Sequence, residues 1–194
     1  MRIAVIPSHY TFMKNTISQP HDLYIWDPVV RLCHWGIVLA FFVNYFIVEP
    51  GRLIHEVTGY TASALVCIRI GWGMIKDRQS LASFKHIDLS RNAFAVHIRQ
   101  LTQGKVAKTH GHNPFGWLMV MAVCGLLLGL GITGFMMEEV DIFFGNSTLE
   151  NIHAIFANTL YGCVLVHIAA VFVVQHKGKI ELIRPMLSGK RKGD

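Results

Sequence analysis

Charge is scarce in this chain of 194 residues: Asp, Glu, Lys and Arg make up 15%, hydrophobic residues 52%, and mean hydropathy is +0.40. That balance argues against an ordinary water-soluble composition and points to a membrane protein, with a length that suits one domain, 1–194. Internal repeats and low-complexity tracts are missing. Cysteine is limited to Cys33, Cys67, Cys124 and Cys163, all inside apolar stretches, where they read as small packing residues. The N-terminal "MRIAVIPSHYTFMKNTISQP" lacks the long apolar core of a secretory signal and is expected to be an ordinary cytoplasmic leader.

Four apolar stretches, about 29–48, 55–75, 115–137 and 152–174, are long enough to cross a bilayer core of about 30 Å, which takes roughly 20 helical residues. The third and fourth contain no Asp, Glu, Lys or Arg; the first carries Arg31, and the second Glu56 and Arg69. The expected fold is therefore all-α, an integral membrane four-helix bundle. Gly125 and Gly129 form a G-x-x-x-G in the third stretch, with Gly131 and Gly134 following, so this helix is expected to approach its neighbours closely.

Basic residues set the expected orientation. The segment 76–114 carries seven against Asp77 and Asp88, and the tail after Val174 carries six against Glu181 and Asp194. The connection "EEVDIFFGNSTLE" (138–150) has four acids and no base. Both termini and the long basic segment should face the cytoplasm, and the acidic loop the other side. Trp26, Trp35, Trp72 and Trp117 then fall near the cytoplasmic interface. Topology accounts for the net charge of +6, and no nucleic-acid partner is needed. Within 76–114, Leu89, Ala93, Val96 and Leu101 suggest a cytoplasmic amphipathic helix with Arg91 and Arg99 on its polar side; a solvated linker is the alternative.

Four of the eleven histidines fall inside the apolar stretches: His34, His55, His153 and His167. An ionisable group in a bilayer is costly and is a functional candidate by default. His153 and His167 are fourteen residues apart, nearly four helical turns and about 21 Å of rise, so they share one face at opposite depths. With the termini cytoplasmic, His55 lies level with His153 and His34 level with His167. Mononuclear zinc usually takes three or four protein ligands, and no Cys, Asp or Glu completes such a set. Haem iron brings four nitrogens of its own and needs two axial partners, so two histidines per level suit two bis-histidine haems, the histidines serving as the metal ligands. No C-x-x-C-H occurs, so attachment would be non-covalent. Structural or proton-handling histidines are the alternative.

Arg69 follows His55 by fourteen residues and so lies beside the cytoplasmic level, while Arg31 and Arg52 precede His34 and His55 by about one turn. Each is a candidate partner for a haem propionate. Snorkelling or topology signalling is the competing reading for Arg31 and Arg69, and Arg52 is the weakest of the three.

"WDPVVRLCHW" (26–35), "IHEVTGY" (54–60), "RIGWG" (69–73), "GHNPFGWLMV" (111–120), "GITGF" (131–135) and the helix carrying His153 and His167 together resemble the bacterial cytochrome b561 family. That family is similar to the b-type cytochrome subunits of nickel–iron hydrogenases. The resemblance covers roughly residues 22–176. It implies a membrane cytochrome with two b haems, the ligand pattern carrying over to His34, His55, His153 and His167. It also implies electron transfer between the quinone pool and a redox partner of a respiratory chain at the bacterial inner membrane. A periplasmic c-type cytochrome or hydrogenase subunits would be that partner. A quinone site near the cytoplasmic haem has His112 and Asn113 as candidates. Of the other histidines, His86, His97, His110, His112 and His176 read mostly as solvated surface. Two alternatives stand beside this reading: the membrane anchor of a nickel–iron hydrogenase, and a histidine-based proton or metal transporter, which predicts a colourless protein.

Overall fold

The computed structural model describes residues 22–104 and 112–192. The N-terminal leader segment and His110 lie outside the described residues.

Capping chemistry starts the helices. Asp27 accepts from the Val30 amide at 3.0 Å and Pro28 fills the first position of α1 (Pro28–Phe42), where no backbone donor is lost. A π-helical turn, Val43–Ile47, continues α1 before the chain reverses at Gly51 into α2 (Leu53–Ile75). Ser90 caps α3 (Arg91–Thr102), Asn113 with Pro114 opens α4 (Pro114–Glu139), and Asn146 caps α5 (Ser147–Gly178). A short α6 (Ile183–Ser188) ends at Gly189 in the left-handed region. From there strand β2 (Lys190–Arg191) pairs antiparallel with β1 (Leu23–Tyr24), Leu23 opposite Arg191.

The long helices pack α1 on α2, α2 on α4 and α4 on α5. Tyr45 and Tyr161, stacked at 4.8 Å, bring α1 against α5. Ala40, Ala62, Val66, Leu127 and Leu160, drawn from all four, form the buried core midway along them. A second buried cluster of Ile25, Trp26, Val30 and Ala82 closes the end that carries the β1–β2 pair. We refer to this as the basic end, and to the end bearing Glu56, Glu138, Glu139 and Asp141 as the acidic end.

Outward faces are apolar as well: Leu32, Leu39, Ile155 and Val166 are each more than 60% exposed. A helix that is hydrophobic all round needs a hydrocarbon environment. Among the described residues three helices are long and apolar enough to cross a membrane: Pro28–Ile47, Pro114–Glu139 and Ser147–Gly178. The second expected stretch, 55–75, does form a helix of sufficient length, but its composition is more polar, with His55, Glu56, Thr58, Ser63 and Arg69 along it. The G-x-x-x-G reading is half right. A methyl on Gly129 would stand 2.7 Å from the Phe156 ring of α5, whereas one on Gly125 would meet open space.

Within 76–114, the described residues 76–104 are built rather than a bare linker. Ser83 donates to the Lys76 carbonyl at 2.9 Å and turns the chain back, and α3 then packs on α4 and α5. Phe94 meets Phe115 edge-on at 4.9 Å, while Arg91 and Arg99 stay exposed.

Candidate functional site

Two histidine pairs occupy the interior, one at each end. On α1, His34 faces His167 of α5 with ring centroids 6.3 Å apart and planes 57° apart. On α2, His55 faces His153 of α5 at the same 6.3 Å, with planes 54° apart. Helical periodicity explains the shared helix, because fourteen residues return the side chain to the same face. A centroid separation of this size would leave room for one metal ion between two facing imidazoles. Both pairs have that separation. Among the described residues no group of three or more His, Cys, Asp and Glu gathers as a site for a metal ion, so each level offers two protein ligands. That donor set suits an iron already held by a macrocycle.

The acidic-end pair opens into a cleft of about 170 Å³ between α1, α2, α4 and α5. Ala157, Gly131 and Gly134 keep its walls low, and Glu56, Tyr60 and Glu138 lie on its lining. The π-helical turn places Asn44 on this wall. Its side-chain amide donates to the His55 carbonyl at 3.2 Å, and Thr58 Oγ1 bonds Asn44 Oδ1, which ties α1 to the ligand-bearing turn of α2. On α4, Thr133 Oγ1 is 2.8 Å from His153 Nδ1.

At the basic end the cations are the notable groups. Arg69 is 7% exposed, and its Nη1 and Nη2 have no hydrogen-bond partner among the described residues. Its guanidinium lies over the Phe84 ring, 5.0 Å from the centroid. A buried guanidinium with no hydrogen-bonded partner for these nitrogens is costly, so the position suits an anionic group. Arg31 donates from Nη1 to the Leu187 carbonyl at 2.6 Å, while its shielded Nε has no partner among the described residues. Arg52 is not drawn in: it pairs with Glu49 at 3.1 Å on the exposed turn before α2.

Two of the remaining histidines are not solvated surface. His97 is buried on α3 beside Phe115. His112 lies between Trp26 and Trp117, each 4.7 Å away, and its Nδ1 is shielded without a partner among the described residues. Burial first, then the charges of Arg69, His167 and His34, push its pKa down to about 3. Asn113, the other quinone candidate, spends its Oδ1 on the Gly116 amide at 2.7 Å as the α4 cap.

Sequence reasoning missed Asn44 and Thr133. Each has a signal in hindsight, an amide and a hydroxyl turned inward from otherwise apolar helices. It also missed the clasp between the two ends of the chain, in which Trp35 donates to the Met186 carbonyl at 3.0 Å. Trp72 likewise donates to Asp27 at 2.9 Å, from α2 to the cap of α1.

Apolar helices that enclose paired, facing imidazoles define a helical membrane protein with nitrogen donors in its interior. The family model for prokaryotic cytochrome b561 matches residues 25–189, and the chain belongs to that family. It is thus a membrane b-type cytochrome of electron transfer, binding b-type haem. No curated protein and no solved structure matches the chain.

Proposed function

We propose that the chain is a single-domain dihaem cytochrome of the bacterial inner membrane, passing electrons between the quinone pool and a redox partner of a respiratory chain. The observation that carries this reading is the repeated histidine pair: His34 with His167 and His55 with His153, both at 6.3 Å. Each pair holds one haem b non-covalently, through one imidazole on either side. Bound haem supplies one-electron chemistry by changing the oxidation state of its iron. Two imidazoles from this chain would complete the coordination of such an iron, which would favour electron shuttling over oxygen chemistry.

The chain's own residues position and insulate these centres. Helix α5 supplies one ligand to each level and so fixes their spacing along the helix at about 21 Å. The buried core of Ala40, Ala62, Val66, Leu127 and Leu160 fills the interval with low-dielectric side chains. Arg69 and Arg31 meet the propionates of the basic-end haem, which accounts for the unpaired guanidinium nitrogens. Arg52 would have to exchange Glu49 for a propionate and is at most a rim contact. In this reading α2 is the fourth span, its Arg69 turned inward, where intramembrane charge is tolerated.

The excess of Lys and Arg at the basic end puts that end and both termini in the cytoplasm. Quinone then meets the basic-end haem near His112, and a c-type cytochrome or hydrogenase subunits dock at the periplasmic, acidic end. The test is a reduced-minus-oxidised absorption spectrum of the purified protein with a pyridine haemochrome count. Two b haems per chain are expected; a colourless protein that moves protons or metal would contradict the proposal.

A further inference from the structure

Thr133 of α4 is buried, with Oγ1 2.8 Å from His153 Nδ1. A hydroxyl has one proton to give and two lone pairs to receive with. Its proton is directed to the Gly129 carbonyl four residues back, at 2.8 Å, with the Leu130 carbonyl at 3.2 Å. This is the usual bond of a threonine inside a helix. The oxygen then meets His153 as an acceptor, so Nδ1 carries the ring hydrogen and Nε2 presents its lone pair. A methyl on Gly134 would stand 3.6 Å from His153 Cε1, an ordinary contact, so α4 lies alongside the ring here. The opposing His55 differs: its Nδ1 is buried with no hydrogen-bond partner among the described residues.

We propose that Thr133 is a positioning residue for the acidic-end haem. It fixes His153 in the tautomer that offers Nε2 to the iron, and by accepting from Nδ1–H it makes that imidazole the stronger donor of the pair. A more basic axial ligand favours the oxidised iron, so the hydroxyl holds this centre at a lower midpoint potential than the same site would have without it. The inference rests on the dihaem reading.

The experiment compares the haem-loaded wild type with Thr133→Val, which removes the hydroxyl, and Thr133→Ser, which keeps it. Haem content, redox titration and the low-temperature electron paramagnetic resonance spectrum are read on each. In Thr133→Val the acidic-end centre should shift to higher potential with an altered signal, or be retained at least about 10-fold more weakly. The basic-end centre should stay unchanged, and Thr133→Ser should restore the wild-type values. Unchanged potential and spectrum in Thr133→Val would overturn the proposal, as would Thr133→Ser behaving like Thr133→Val. Fewer than two haems in the wild type would overturn the dihaem reading, and this inference with it.

Discussion

His34 and His167 come from α1 and α5, yet their rings face each other with centroids 6.3 Å apart inside the protein. The same distance recurs between His55 and His153 at the other end of α5. One helix thus supplies half of each pair, and the groups packed around it determine how the two levels differ.

Arg69 gives the first prediction. Its unpaired buried guanidinium should burden the haem-free chain and be compensated once a propionate is present. Arg69→Met should therefore stabilise the haem-free protein and destabilise the loaded one, by up to about 3 kcal/mol in each direction. Thermal unfolding in detergent of both forms measures this. The same sign of change in both would show that Arg69 meets no anion of the cofactor.

The second concerns packing of α4 on α5. A side chain on Gly129 runs into Phe156, whereas one on Gly125 meets nothing. Gly129→Val should lower stability by about 1–3 kcal/mol, and Gly125→Ala should be close to neutral. Unfolding midpoints of the two variants against wild type decide it, and equal losses would mean that the contact is not limiting.

How much of this was legible beforehand depends on what kind of information each feature carries. The starts of α1 and α4 are written in local chemistry, at Asp27-Pro28 and Asn113-Pro114. The two levels of histidine were readable because fourteen residues is a fixed rotation and rise. The partnership of Thr133 with His153 was not, since it depends on how α4 rotates against α5, which no single-helix periodicity records. His97 and His112 were misjudged for a related reason. Their burial comes from Phe115, Trp26 and Trp117, residues brought over them by the packing of α3 and the entry to α4. The π-helical turn at Val43–Ile47 was also invisible, because it inserts Asn44 into the α1–α2 contact without changing the apolar pattern.

The buried His97 supplies a pH prediction. Burial holds its pKa below the ordinary value of about 6.5, so the unfolded segment binds a proton before the folded one does. Its contribution is intact above about pH 6.5 and is lost as pH falls below that value towards the depressed folded pKa. Hydrogen exchange of α3 should therefore speed up between pH 7.5 and pH 5, after correction for intrinsic rates, and the change should be smaller in His97→Gln. An identical acceleration in His97→Gln would assign the effect to other groups.

The central claim is that each histidine pair holds one haem, and counting haem in pairwise histidine variants tests it most directly. Wild type should give two b haems per chain by pyridine haemochrome. His34→Ala and His167→Ala should each give one and lose the same spectral component, while His55→Ala and His153→Ala should each lose the other. His34→Ala with His167→Ala should remove no more than either alone. Loss of one component by His34→Ala and His153→Ala together, or a count unchanged by all four substitutions, would contradict the account.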